Sequence, residues 1–171
     1  MLESIPQAAT VINVLSHPTW DIVVIFALIA GGFFYGISAG KSRIAATLLY
    51  TYVAFGVFSV LPLSSWFKGF NEVEELWVKT GIFLGLFLLL AFALGSRKNR
   101  GFAPASAWWK IFLLSFLQMG LVIHILLSFL PPGRFELAPI TKTVFANPAY
   151  TIWWFLAPLL VLIFLRRIEN E

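Results

Sequence analysis

Apart from tyrosines, one ionisable side chain lies within the long apolar stretches of this chain, and it belongs to a histidine. His124 shares a helical face with Gly120 and Ser128 at four-residue spacing, and Gln118 lies about one turn away. An imidazole among such groups could relay a proton or contact a polar ligand. The alternative is structural, a histidine hydrogen-bonded to a neighbouring helix. The pattern thus marks Gln118, His124 and Ser128 as a possible ligand or proton site, and we favour the structural interpretation of the histidine.

The residues that other kinds of catalytic or metal-binding site require are missing from this chain. The chain has no cysteine, which removes disulfides, thiolate nucleophiles and cysteine-based metal sites. We expect His17 to be an exposed loop residue, and two histidines so placed cannot form a metal site with the oxygen ligands available. An intramembrane enzyme needs paired carboxylates, a nucleophile with its base, or a metal cluster at membrane depth. We therefore expect no catalysis and no cofactor, with His124 as an axial ligand to a haem or pigment as a weaker alternative.

Composition sets the fold class. The 171 residues are 60% hydrophobic and 12% charged, whereas a soluble domain has about a quarter charged residues. Several stretches without Asp, Glu, Lys or Arg are long enough to cross a bilayer, which takes about 20 apolar residues: 22–40, 44–67, 80–96, 111–133 and 143–165. These stretches predict an all-α polytopic membrane protein, embedded in lipid, without a nucleic-acid partner.

The chain organisation follows from these stretches. We predict a single integral membrane domain over 1–171, opening with an N-terminal segment, 1–19, that lies at the membrane interface or is disordered. Outside loops are predicted at 64–79 and 131–148. About five transmembrane helices are predicted, at 20–40, 44–63, 78–95, 107–130 and 149–165. The first four form a core, and the fifth follows the second loop, within 133–171.

Basic residues predict the orientation. Short cytoplasmic loops are enriched in Lys and Arg, and the five spans divide these residues unequally between the two sides. One side holds four of the 12, and the other holds eight, namely Lys41, Arg43, Arg97, Lys98, Arg100, Lys110, Arg166 and Arg167. We therefore expect a multi-pass protein of the cell (plasma or inner) membrane with its N-terminus outside and its C-terminus in the cytoplasm.

A ladder of glycines ends the first span. Gly32, Gly36 and Gly40 are four residues apart and precede Lys41 directly. Small residues at this spacing let transmembrane helices approach closely. We predict that the ladder forms a packing groove for the second or the fourth span, with Gly120 as a further packing glycine in the fourth.

These features resemble the colicin V production protein (CvpA) family. The resemblance covers 20–132: an Asp at the start of the first span, the glycine ladder followed by a basic residue, "WFKGFNEVEELWVKTGIFLG", and "AWWKIFLLSFLQMGLVIHILLSFLPP" with Gly120 at its mid-helix glycine. The resemblance implies four spans in that core. It also implies a role linked to colicin V production, a toxin biosynthesis process, or to export and envelope upkeep, without established catalytic residues or cofactor.

Two functions from different classes remain open. The first is a non-catalytic scaffold or assembly/export-related subunit that packs against another membrane protein or a second copy of itself. The second is a small pore or solute-transport component with a polar face at Gln118 and His124. The sequence does not name a partner or a substrate.

Overall fold

The computed structural model describes residues 19–66, 68–94, 108–131 and 133–168. Every regular element in these ranges is helical. In chain order the helices are α1 (Trp20–Ala39), α2 (Lys41–Val60), α3 (Leu63–Trp66), α4 (Glu72–Leu94), α5 (Trp108–Ser128), α6 (Pro139–Val144), a 3₁₀ turn (Pro148–Tyr150) and α7 (Thr151–Ile168).

Five of these helices are long and apolar enough to cross a membrane: α1, α2, α4, α5 and α7, the last together with the preceding 3₁₀ turn. At 1.5 Å per residue, the 20 residues of α1 extend about 30 Å, the thickness of the hydrocarbon core. The prediction of an all-α protein with about five transmembrane helices is confirmed.

Helix α5 is the centre of the bundle. It packs against α1, α2 and α7, and half of its membrane-length segment is buried. One core cluster joins α2, α4 and α5 through Leu48, Phe83 and Leu121. A second joins α2, α5 and α7 through Ile44 and Leu165, among others. Because three membrane-length helices contact α5, its side chains determine how the bundle closes.

Helix α4 lies at the edge of the bundle and starts earlier than predicted. Its main neighbour is α2, and only 6% of its membrane-length segment is buried. The prediction of a loop over 64–79 is wrong from Glu72 onward, because the helix begins there. Glu74 accepts a hydrogen bond from the Asn71 N–H (2.9 Å), as one arm of a capping box does, and three acidic residues occupy the first turn, where the helix dipole favours them.

The segment between α5 and α7 folds over one end of the bundle. We call this segment, together with the end of the bundle that it covers, the loop end. The segment's described residues form α6 and the 3₁₀ turn but no long helix, as predicted. Asn147 caps this turn by accepting a hydrogen bond from the Ala149 N–H (2.9 Å). The predicted interfacial segment 1–19, apart from Thr19, and the basic residues Arg97, Lys98 and Arg100 lie outside the described residues.

Candidate functional site

The first two glycines of the ladder face α5. A Cβ atom added to Gly36 would lie 2.5 Å from Ser115 Oγ and 2.6 Å from Ile44 Cδ1, and one added to Gly32 would overlap the Met119 side chain. Both glycines are buried. Helices α1 and α5 therefore approach each other closely, and a side chain added at either position would require its neighbours to move.

Gly40 has a different role from the packing role that we expected. A Cβ atom there would meet nothing within 4 Å. The residue is instead the single break between α1 and α2, with φ +82° and ψ 162°, and its N–H donates to the Gly36 carbonyl. L-residues with a side chain rarely adopt such a positive φ. The correction is that Gly40 turns the chain between two antiparallel helices.

Gly120 receives an aromatic ring from α7. A Cβ atom added to Gly120 would overlap Trp154 Cζ3 and would lie 2.6 Å from Cη2 of the same ring. The ring is held in place from two directions: Trp154 Nε1 donates to the Val144 carbonyl (2.7 Å), and the indole stacks on Phe145 with centroids 5.0 Å apart. The absent side chain of Gly120 thus makes room for a tryptophan that also binds the loop end.

His124 is buried, and both of its ring nitrogens have partners. Nδ1 lies 2.6 Å from the Phe145 carbonyl oxygen, and Nε2 lies 3.0 Å from Thr151 Oγ1. Because a carbonyl only accepts, a neutral imidazole carries its proton on Nδ1 and accepts from the Thr151 hydroxyl at Nε2. The histidine therefore fastens the loop end to the first turn of α7, a structural role of the kind that we favoured.

Asp21 is a second attachment point for the loop end, and nothing in the sequence indicates this contact beyond the favourable place of an acidic residue at a helix N-terminus. Its side chain is only 2% exposed, and Oδ2 accepts a hydrogen bond from the Ala138 N–H (2.9 Å). The hydroxyls of Thr19 and Thr141 lie beside the carboxylate. Side chains of α1, α5 and α7 therefore each bind backbone groups of the α5–α7 segment.

Gln118 belongs to a separate polar contact. Its Oε1 accepts a hydrogen bond from Thr47 Oγ1 (3.1 Å) at the α2–α5 interface, and both side chains are buried. The Ser115 hydroxyl, one turn away on α5, is also buried. The predicted grouping of Gln118 with His124 and Ser128 is therefore divided, with Gln118 packed between helices and the other two residues towards the loop end.

A cavity of about 600 Å³ lies beneath the α5–α7 segment at the loop end. Phe55 of α2, His124 and Ser128 of α5, and Phe155 of α7 line it, together with residues of the loop that include Lys142. Its volume is within the range of ligand-binding cavities, about 300–1,000 Å³. This cavity is a place where the described residues could hold a small molecule.

Within the described ranges, no group of three or more His, Cys, Asp or Glu side chains could hold a metal ion. Comparison with known proteins found no match among family models, among curated protein sequences or among solved structures. The resemblance to the CvpA family therefore stays a prediction from the residues that carry it.

Proposed function

We propose that this protein is a non-catalytic membrane assembly subunit, CvpA-like in the sense that glycine-lined helices pack both within the protein and against another transmembrane helix. The partner helix belongs to a second copy of the chain or to another membrane protein. An export-related assembly is the setting that the resemblance suggests.

The observation that carries this proposal is an unused pair of glycines on α4. Gly81 and Gly85 are four residues apart and exposed, and a Cβ atom at either would meet nothing within 4 Å. On the same helical face, Trp77 is 70% exposed and Phe92 is 86% exposed. Helix α4 thus presents a groove of two glycines, flanked by large aromatic side chains, away from its own bundle.

Physical chemistry favours a helix as the occupant of this groove. Lipid chains are as apolar as leucine, so helices associate in membranes through close van der Waals packing, and a small-xxx-small pair permits it. The same device already joins α1 to α5 through Gly32 and Gly36. The edge location of α4 supports the proposal, because a partner can reach the groove without displacing any helix.

The experiment compares two glycine-to-leucine variants in lipid nanodiscs. Gly85→Leu should release the partner or second copy, and the complex should shift to a smaller species in size-exclusion chromatography. Gly31→Leu is the matched control, because Gly31 is also an exposed helical glycine with nothing within 4 Å. Equal assembly of both variants and the wild type would count against the proposal.

We also propose that the loop end faces outward across the cell membrane and that the C-terminus is cytoplasmic. The basic-residue count supports this orientation. Because the chain has no cysteine, single cysteines at Phe70 and Arg100 can be labelled selectively. A membrane-impermeant maleimide added to intact cells should label the first and not the second, and the reverse pattern would contradict the orientation.

The alternative, a small solute-transport component, is favoured by the loop-end cavity that His124 and Ser128 line. In that case, proteoliposomes should show a solute flux that His124→Ala abolishes while the variant still folds. Absence of flux in the wild-type protein would exclude this alternative.

A further inference from the structure

The loop-end cavity combines an apolar wall with a single cation. Of the sixteen described residues that line it, Lys142 is the one with a formal charge when His124 is neutral, and eight others are Phe, Leu or Ile. Within the described part of the chain, Lys142 forms no ion pair. A ligand that fits this lining has an anionic group and an apolar body.

The two halves of the lining lie at different depths. Lys142 is in α6, within the segment that covers the end of the bundle, whereas Phe55 and Phe155 belong to α2 and α7. Phe55 lies five residues before the end of α2, about 7 Å into the helix at 1.5 Å per residue. The apolar wall therefore reaches into the membrane-spanning part of the bundle while the cation stays near its surface.

This arrangement has the polarity of a lipid leaflet, with a charged group at the surface and apolar contacts below it. A volume of about 600 Å³ corresponds to a drug-sized ligand, which favours one acyl chain over a lipid with two full chains. His124 does not compete for the ligand, since both of its nitrogens are engaged by Phe145 and Thr151. Its hydrogen bonds instead hold the cavity wall in place.

We propose that the loop-end cavity binds a single-chain anionic amphipath, a fatty acid or a molecule of the same shape, with its carboxylate at Lys142 and its chain against Phe55 and Phe155. This site is independent of the α4 groove, so its test and the assembly test succeed or fail separately.

The test uses photoreactive labelling in nanodiscs of phosphatidylcholine. The probes are lauric acid carrying a diazirine in its chain and the corresponding alcohol, and mass spectrometry identifies the labelled peptides. The acid should label the peptides that contain Phe55 and Phe155 in preference to the exposed faces of α1 and α4, and unlabelled lauric acid should compete.

Variants separate the charge from the chain. Lys142→Gln should weaken labelling by the acid about tenfold, the effect of losing one charge-assisted hydrogen bond, without changing labelling by the alcohol. Lys68→Gln is the matched control, because Lys68 is also exposed and precedes α4, outside the cavity. Ala146→Phe fills the cavity and should block both probes. Because Lys142 is exposed, Lys142→Gln should fold, and it still tests the proposal if Ala146→Phe does not fold.

Three results would overturn the proposal. The first is labelling by the acid that is no stronger in the cavity than on the lipid-facing helices. The second is an unchanged acid signal in Lys142→Gln. The third is competition by acetate, which has the carboxylate without the chain, as effective as that of lauric acid.

Discussion

Replacing Gly120 with alanine should loosen both α7 and the loop end. The added methyl group would overlap the Trp154 ring and lie 2.6 Å from Cη2 and 3.0 Å from Cε3. Carbon atoms in favourable contact are about 3.5–4.0 Å apart, so the ring must move by more than about 1 Å. Flexible side chains adapt to such a shift, but an indole fixed at both its N–H and its face does not.

The magnitude follows from what the moving ring gives up. The hydrogen bond from Trp154 Nε1 to Val144 contributes about 0.5–1.5 kcal/mol, and the stack on Phe145 a further 0.5–1.5 kcal/mol, roughly. Overpacking a filled site costs about 1–3 kcal/mol by itself. We therefore expect Gly120→Ala to lower the free energy of unfolding by about 1–5 kcal/mol, after the better helix propensity of alanine offsets about 1 kcal/mol of these losses.

The assay is unfolding by sodium dodecyl sulfate in mixed micelles, followed by circular dichroism. Gly85→Ala is the control with the same chemical change, because a Cβ atom there meets nothing within 4 Å, and it should leave the unfolding free energy unchanged or raise it by up to about 1 kcal/mol through the helix propensity of alanine. In a Trp154→Leu background, Gly120→Ala should likewise cost less than about 0.5 kcal/mol.

The reasoning would be refuted by either of two results. One is that Gly120→Ala and Gly85→Ala have the same unfolding free energy. The other is that the effects of Gly120→Ala and Trp154→Leu simply add, because residues that contact each other through a steric overlap must show a coupling energy.

Four further substitutions probe the same bundle. Gly36→Ala should destabilise the protein by about 1–3 kcal/mol, because the buried neighbours of Gly36 cannot move aside. Gly32→Ala should destabilise it by less, because the flexible Met119 side chain can move aside. The detergent titration compares the two variants. Asp21→Ala should speed hydrogen exchange at the Ala138 amide, which loses its acceptor. His124→Leu should cost about 1–3 kcal/mol in the same titration, because it leaves a buried carbonyl and a hydroxyl unpaired.

Much of the fold could be predicted because hydropathy and helix length are local properties. The predicted spans at 20–40 and 107–130 differ from α1 and α5 by at most two residues at either end. The largest error was at the start of α4, where the sequence shows a polar, acidic stretch. Hydropathy detects only the lipid-crossing part of such a helix, and the capping contact between Asn71 and Glu74 starts it one and a half turns earlier.

The site was harder to predict, because its contacts join distant parts of the chain. The hydrogen bond between Asp21 and Ala138 spans 117 positions, and no local pattern in the sequence indicates it. Four-residue spacing correctly placed Gly32 and Gly36 on one stripe but extended it to Gly40, since spacing alone does not reveal where a helix ends. The pair Gly81 and Gly85 has the same spacing and was overlooked, although the sequence contains it.

The most direct test of assembly through α4 is photocrosslinking in native membranes. A benzophenone maleimide is attached to Leu88→Cys, one turn beyond Gly85 on the exposed face, or to Phe26→Cys on the exposed face of α1 as the control. The proposal predicts a crosslinked adduct of one defined mass from Leu88, little from Phe26, and loss of the Leu88 adduct when Gly85→Leu is added. Equal yields from the two faces, or no protein adduct from Leu88, would contradict it.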